Sequence, residues 1–148
     1  MKIAFSILIV LLIMLLSNAQ AKQDETYVSF DAWEIGVNRV NNKVFRWILF
    51  HPDSDFPCLR IENLESGTHK LINRRDICSI YDKELQITHN FKQLSFLDIH
   101  NLKVSDARLF FDAELSLLSD SVVFIHCTVN ILDDGFSDPD CNRVINKD

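Results

Sequence analysis

Glycine and proline are scarce in this chain, with three of each among 148 residues. Flexible and proline-rich linkers need many of these residues, and the sequence contains no linker, internal repeat or low-complexity tract. The low glycine content also leaves few positions for tight hairpin turns. The sequence therefore predicts a single domain with few tight turns, and no tethered modules.

Motifs of the common catalytic and cofactor sites are missing as well. The sequence has no G-x-S-x-G, H-E-x-x-H, phosphate-binding loop or dinucleotide fingerprint. His126 and Cys127 suggest a thiol–imidazole pair, but adjacent residues of a strand face opposite sides, and the cysteine is expected to be oxidised. We therefore expect a protein that is not an enzyme and uses no cofactor.

Positive charge is in the minority. The chain has 15 Lys and Arg against 21 Asp and Glu, a formal net charge of −6. Nucleic acids and anionic membranes attract proteins through a positive field, so neither is expected as the main partner. The sequence also has no Asn-x-Ser/Thr site, so N-glycosylation is not expected.

A long apolar run occurs only at the N-terminus. Lys2 is followed by the run Ile3–Leu16 and then by a small-x-small motif at residues 19–21. This order predicts a signal peptide of residues 1–21, with cleavage after Ala19 or an uncleaved signal anchor as alternatives. The mature domain, residues 22–148, is expected to be secreted and extracellular, with no membrane span.

Cysteine occurs four times, at Cys58, Cys78, Cys127 and Cys141, all in the mature domain. An even number in an exported chain predicts two disulfides. Three pairings are open, and the spacing does not choose among them. The absence of a C-x-x-C pair argues against a zinc site.

Three polar segments have a functional and a simpler interpretation. The acidic loop 133–140 offers oxygens to calcium but lacks the EF-hand spacing, so a solvated turn is favoured. His51 with Asp53 and Asp55 suggests a metal site, but the flanking prolines favour a turn. Arg74-Arg75 suggests dibasic processing, with an exposed loop as the simpler interpretation.

Apolar and polar residues alternate in two segments near the C-terminus, joined by a polar link at residues 119–121. A period of two predicts an antiparallel pair of strands over a core, with Cys127 in the inward row. A helix over 109–118 is the alternative, and the clean alternation of the second segment favours the strand. The predicted inward residues are Leu109, Phe111, Ala113, Leu115, Leu117, Val123, Ile125, Cys127, Val129 and Ile131.

Shorter strand candidates precede this pair. They are Tyr27–Val37, Val44–His51, Cys58–Leu64, His69–Ile72 and Leu85–Phe91. Val44–His51 is apolar on both parities, which is typical of a central strand. Leu94–Leu102 changes parity and predicts a bulge or an edge strand. Seven to nine strands with inter-strand cysteines predict an all-β fold, an immunoglobulin-like antiparallel β-sandwich with two disulfides.

Three blocks resemble a known family. Val122–Val129, which contains His126-Cys127-Thr128-Val129, resembles the His-Cys-x-Val strand of the C-terminal half (ZP-C) of zona pellucida domains. Leu109–Leu117 is similar to that family's alternating Phe-rich strand. The third block, Leu71-Ile72-Asn73 with Cys78, is similar to the family's Leu-Ile-x-x-Gly-Cys segment. The chain departs from the pattern in having no glycine before Cys78 and no N-terminal ZP half.

The resemblance implies a pairing of first with third and second with fourth cysteine, Cys58–Cys127 and Cys78–Cys141. Each pair would close a loop of more than sixty residues, worth up to about 4 kcal/mol in the chain-entropy model. It also implies protein–protein association. We expect a secreted interaction or structural module of an extracellular matrix, coat or secretion, with homo-oligomerisation open. The alternatives are a diffusible venom, saliva or defence effector and a small-ligand carrier.

Overall fold

The computed structural model describes residues 31–116 and 122–144. Regular structure in this part is almost entirely β, with one 3-10 turn at Phe91–Gln93, and the predicted all-β class is confirmed. The strands are β1 (Ala32–Val40), β2 (Lys43–Phe50), β3 (Leu59–Leu64), β4 (Leu71–Ile77), β5 (Ser79–Asp82), β6 (Ile87–Asn90), β7 (Phe96–Ser105), β8 (Arg108–Ser116), β9 (Val122–Asn130) and β10 (Asp140–Arg143). This part contains no helix long and apolar enough to cross a membrane.

The strands form two four-stranded antiparallel sheets and one hairpin. The N-terminal sheet has the order β1-β2-β3-β4, the C-terminal sheet the order β10-β9-β8-β7, and β5 pairs with β6. Consecutive strands are therefore neighbours within each sheet. An immunoglobulin domain instead distributes its strands between two sheets through Greek-key connections, and that finer arrangement is not confirmed.

Buried side chains of both sheets belong to one hydrophobic cluster, so the two sheets share a core. Complete burial of one such side chain stabilises the fold by about 1.5–3 kcal/mol. Its most deeply buried members, each no more than 1% exposed, include Phe45, Leu59, Ile61, Leu109, Phe111, Leu115, Ile125 and Val129.

The alternating segments near the C-terminus form strands β8 and β9, as predicted, and the helical alternative is wrong. Every second residue of each strand is buried, beginning with Leu109 in β8 and Val123 in β9. Opposite residues such as Phe111 and Cys127 are paired across the ladder. Leu117 and the link at 119–121 lie outside the described residues.

A bulge or an edge strand was predicted from the parity change within 94–102, and both are present, although the irregularity follows Ile99 and does not lie between Phe96 and Leu97. Strand β7 is an edge strand of the C-terminal sheet, and its register with β8 shifts between His100 and Lys103. Asn101, within this irregularity, has a left-handed φ of 56°. Leu97 and Ile99 are buried before the shift, and Leu102 and Val104 pack against the core beyond it, so the shift moves the inward row from odd to even positions.

Asparagine takes the place of glycine in the first hairpin. The predicted strand Tyr27–Val37 lies partly outside the described residues, which begin at position 31. Its second half belongs to β1, which continues to Val40. Its turn to β2 is the pair Asn41-Asn42, with φ of 47° and 61°. Two positive φ values are what a two-residue type I′ turn requires, and Asn tolerates them better than most residues. The scarcity of glycine therefore does not prevent tight turns.

The middle of the chain differs most from the prediction. Strand β4 extends to Ile77, well beyond the predicted end at Ile72, and β5 was not predicted. In the predicted strand Leu85–Phe91 only Ile87–Asn90 is extended, and Leu85 is exposed. Strands of four residues span two alternations at most, which is too little for periodicity to identify them.

The disulfide pairing implied by the family resemblance, Cys58–Cys127 with Cys78–Cys141, is wrong. The bonds are Cys58–Cys78 and Cys127–Cys141, with Cα–Cα distances of 4.4 and 4.1 Å. Cys127 and Cys141 are direct partners in the β9–β10 ladder, while Cys58 precedes β3 and Cys78 follows β4 at the end where those two strands pair. Antiparallel neighbours thus determine both pairs.

The presence of two disulfides is confirmed. Their sequence separations of 20 and 14 residues correspond to about 3 kcal/mol each in the chain-entropy model. Disulfides persist in oxidising compartments, so they agree with an extracellular location. The predicted signal peptide, residues 1–21, lies outside the described residues.

Candidate functional site

His126 and Cys127, considered for catalysis, face opposite sides of β9. The His126 side chain is half exposed, whereas Cys127 is fully buried and bonded to Cys141. A sulfur in a disulfide carries no thiolate, so this pair has no nucleophile.

The acidic loop connects strands through ion pairs. The loop carboxylates of Asp133, Asp138 and Asp140 pair with Lys43, Arg75 and Lys83 respectively. His51 Nδ1 accepts a hydrogen bond from the Asp53 amide at 3.1 Å, as expected for a turn. Within residues 31–116 and 122–144, no group of three or more His, Cys, Asp or Glu side chains is arranged to hold a metal ion.

Arg74 and Arg75 lie in β4, so the expectation of an exposed loop is wrong. Arg74 Nε donates to Glu62 at 3.1 Å, and Arg75 Nη1 donates to the Phe136 carbonyl at 3.2 Å. Proteases cleave most readily at exposed loop tips, and the peptide bond of this dibasic pair is part of a β ladder.

Glu62 forms a nearly buried ion network on the outer face of the N-terminal sheet. Its carboxylate, 1% exposed, lies 2.5 Å from Arg46 and 3.1 Å from Arg74 on the two flanking strands. The three residues are direct cross-strand partners. Arg46 binds one oxygen of the carboxylate and Arg74 the other, so this buried ion network is a structural arrangement.

Asp82 connects the β5–β6 hairpin to β10. Its side chain is fully buried, lies 3.4 Å from His89 and accepts a hydrogen bond from Arg143 at 2.8 Å. Burial opposes ionisation, but the hydrogen bonds from the Leu85 amide, Arg143 and His89 outweigh it and lower the pKa of Asp82. The ionised carboxylate therefore stabilises this junction.

A row of histidine and aspartate crosses the outer face of the C-terminal sheet. His100, Asp112 and His126 are cross-strand partners, and His126 Nδ1 lies 2.6 Å from the Asp112 carboxylate. Desolvation raises the pKa of Asp112, but hydrogen bonds with Asn101 and His126 and the nearby charges lower it overall. Asn101 and His126 thus each contact one of the two Asp112 oxygens.

Strand β1 carries its large apolar side chains on the outside. Trp33, Ile35 and Val37 are 67%, 49% and 59% exposed, and we name these three residues the β1 ridge. On the inner side, Gly36 lies against the Trp47 indole: a Cβ added to Gly36 would be 1.7 Å from it. The Trp47 ring therefore excludes a side chain at position 36, whereas Val40, farther along β1, packs into the core.

A groove adjoins the first residue of the ridge. It has a volume of about 260 Å³, and we name it the Trp33 groove. Trp33 stands edge-on to His51 with ring centroids 4.9 Å apart. The groove is lined by Trp33, Leu49, Phe50, His51, Pro52, Asp53, Phe91, Leu94, Ser95, Phe96, Leu97, Asp98 and Ile99.

No protein-family model matches the chain, and neither a curated protein nor a solved structure matches it. The resemblance to the ZP-C half therefore rests on the residues that suggested it and remains a prediction.

Sequence reasoning did not identify the ridge or the groove. The signal for the ridge was present, since Glu34, Gly36 and Asn38 alternate with Trp33 and its apolar neighbours. Periodicity shows that one side of a strand is apolar but not which side meets the core. The groove combines residues near positions 33, 50 and 95, which only the tertiary fold brings together.

Proposed function

We propose that the chain is a secreted, non-enzymatic module that binds another extracellular protein, with the β1 ridge as its recognition surface. The observation that carries the proposal is the exposure of three large apolar side chains at alternate positions along one strand. Contiguous exposed apolar groups mark protein-interaction sites, and tryptophan is enriched among the residues that dominate binding energy.

The position of β1 supports the same proposal. Within the described residues β1 has a strand neighbour on one side only, so its other edge offers backbone donors and acceptors. The register irregularity between Ala32 and Glu34 interrupts that edge at its start, and such irregularities discourage indiscriminate strand pairing. A partner strand would therefore add beside residues 35–40, with its side chains against Ile35 and Val37.

The resemblance to ZP-C supports an interaction module of a matrix, coat or secretion, because it implies protein–protein association. The observed disulfides differ from the family pairing, so the exposure of the ridge supports the proposal more strongly than the resemblance does. A diffusible effector would use the same surface on a foreign receptor. The tissue of expression separates the two: a secretory gland favours the effector, and an epithelium or gonad favours the coat component.

The test compares two matched double variants in crosslinking from the fluid into which the protein is secreted. Ile35→Gln/Val37→Gln alters the ridge, and Val122→Gln/Phe124→Gln alters equally exposed apolar residues of the C-terminal sheet. We expect the ridge variant to lose at least about tenfold of the specific partner and the control to retain it. Equal recovery by the two variants would refute the ridge as the recognition surface.

A further inference from the structure

The Trp33 groove has the dimensions of a site for a small molecule. Its volume is about 260 Å³. Sites for drug-sized ligands are commonly larger, at about 300–1,000 Å³. The groove therefore fits a small ligand, such as one ring with a short side chain. It opens at the side of the core and is not a void within it.

Aromatic side chains supply much of its wall. Phe50 and Phe91 are 5% and 3% exposed, whereas Trp33 and Phe96 are 67% and 47% exposed. The two exposed rings come from β1 and β7, so the groove spans the two sheets. Aromatic faces attract apolar rings and organic cations, tryptophan most strongly among them.

The charged groups of the groove have one sign. Among its described lining residues there is no lysine or arginine, while Asp53 and Asp98 contribute carboxylates. Each carboxylate is near a histidine, Asp53 at 3.9 Å from His51 and Asp98 at 3.3 Å from His100. The groove is therefore lined by two acidic side chains and no basic Lys or Arg, and the whole chain has a formal net charge of −6 as well. The complementary ligand is a cation.

We propose that the Trp33 groove binds a small organic cation, namely an aromatic amine. Its ring packs against the aromatic walls, and its ammonium group is neutralised by Asp53 and Asp98. This site goes beyond the proposed protein-binding function and does not depend on it. The two surfaces share Trp33 alone, because Ile35 and Val37 do not line the groove.

Three probes of one shape separate charge from apolar contact: phenethylamine, 2-phenylethanol and phenylacetate. They are titrated into the whole secreted protein while the two indole N–H resonances are followed by NMR. The chain has two tryptophans, so Trp33→Phe assigns the signals. We expect the amine to shift the Trp33 signal saturably and the Trp47 signal little. The alcohol should bind about tenfold more weakly, and the anion more weakly still.

Matched variants test the carboxylates. Asp53→Asn/Asp98→Asn should weaken phenethylamine binding about tenfold, and Asp106→Asn, in a turn with a left-handed φ of 50° that Asn tolerates, should not. Equal binding of amine and alcohol, no shift at Trp33, or full binding by the double variant would each overturn the proposal. Ile35→Gln/Val37→Gln should keep the amine site, so loss of the protein partner and loss of amine binding are distinguishable.

Discussion

The two sheets differ in which side chains are buried. In the C-terminal sheet, inward residues of β8 and β9 are buried and their outward neighbours meet water. In the N-terminal sheet, Val44 and Ile48 point away from the shared core and are nevertheless 6% and 2% exposed, as deeply buried as inward residues. On β1 the exposed side is the apolar one. A period of two therefore identifies a strand in both sheets, but it identifies the core face in the C-terminal sheet alone.

The difference has a physical origin in single residues. Trp47 fills the space that a side chain at position 36 of β1 would occupy, and Glu62 is nearly buried on the outer face between two arginines. The first feature removes an inward side chain, and the second buries a charge on the face that usually meets water. In the described part of β8 and β9 the inward row is unbroken, although Val122 and Phe124 are exposed on the outward side.

The largest expected effect lies in the inner row of the C-terminal sheet. Phe111→Ala removes a fully buried ring and should destabilise the protein by about 3–5 kcal/mol in urea unfolding. Ile35→Ala, at 49% exposure on the ridge, should change stability by less than about 0.5 kcal/mol. If Phe111→Ala does not fold, Ile125→Val tests the same row, with an expected loss of about 0.5–1.5 kcal/mol. Similar losses at the inner row and the ridge would contradict the comparison.

A smaller effect is expected from the outer face of the N-terminal sheet. Glu62→Gln keeps the shape of the side chain but leaves Arg46 and Arg74 without a carboxylate, and we expect a loss of about 1–3 kcal/mol. Asp76→Asn weakens the more exposed pair with Arg60 and should cost less than about 1 kcal/mol. Thermal unfolding of both variants decides the point, and equal losses would show that burial of Glu62 adds nothing.

The smallest effect concerns acid. The folded-state pKa of Asp82 is below its ordinary 3.8, so its stabilising contribution is present above that value and is lost as pH falls through the folded pKa. Asp82→Asn should therefore flatten the decline in unfolding free energy between about pH 5 and pH 2. Asp112→Asn should flatten it less, because water screens that partly exposed carboxylate. If Asp82→Asn leaves the decline of the unfolding free energy in acid unchanged, the ionised Asp82 carboxylate does not stabilise the contact between the β5–β6 hairpin and β10.

Much of the C-terminal sheet was predictable, because water covers one face of it. The alternation from Leu109 to Ile131 indicated two strands and their inward rows. The parity change near Phe96 indicated an irregular edge strand, although the register shift lies between His100 and Lys103. The both-sided apolar pattern of β2 also correctly predicted an inner strand. These patterns are local, so the sequence contains them directly.

The features that were missed depend on contacts between distant segments. The disulfide prediction followed a family pattern, whereas the real pairs follow from which strands are antiparallel neighbours. The missing side chain at Gly36, between Ile35 and Val37 of the ridge, follows from the Trp47 ring across the ladder. The Trp33 groove exists because the start of β1 and the start of β7 meet at one side of the core. The periodicity of apolar residues carries no information on contacts between such distant segments.

Each disulfide lies within one half of the molecule, so neither bond links the two sheets. All four cysteines are bonded within their own half, so only the backbone between Cys78 and Phe96 joins the sheets covalently. If the chain were opened in that connection, each fragment would keep its own covalently closed loop. The halves would then associate as a heterodimer, and their dissociation constant would report the combined strength of the shared core and of the ion pairs that join the halves.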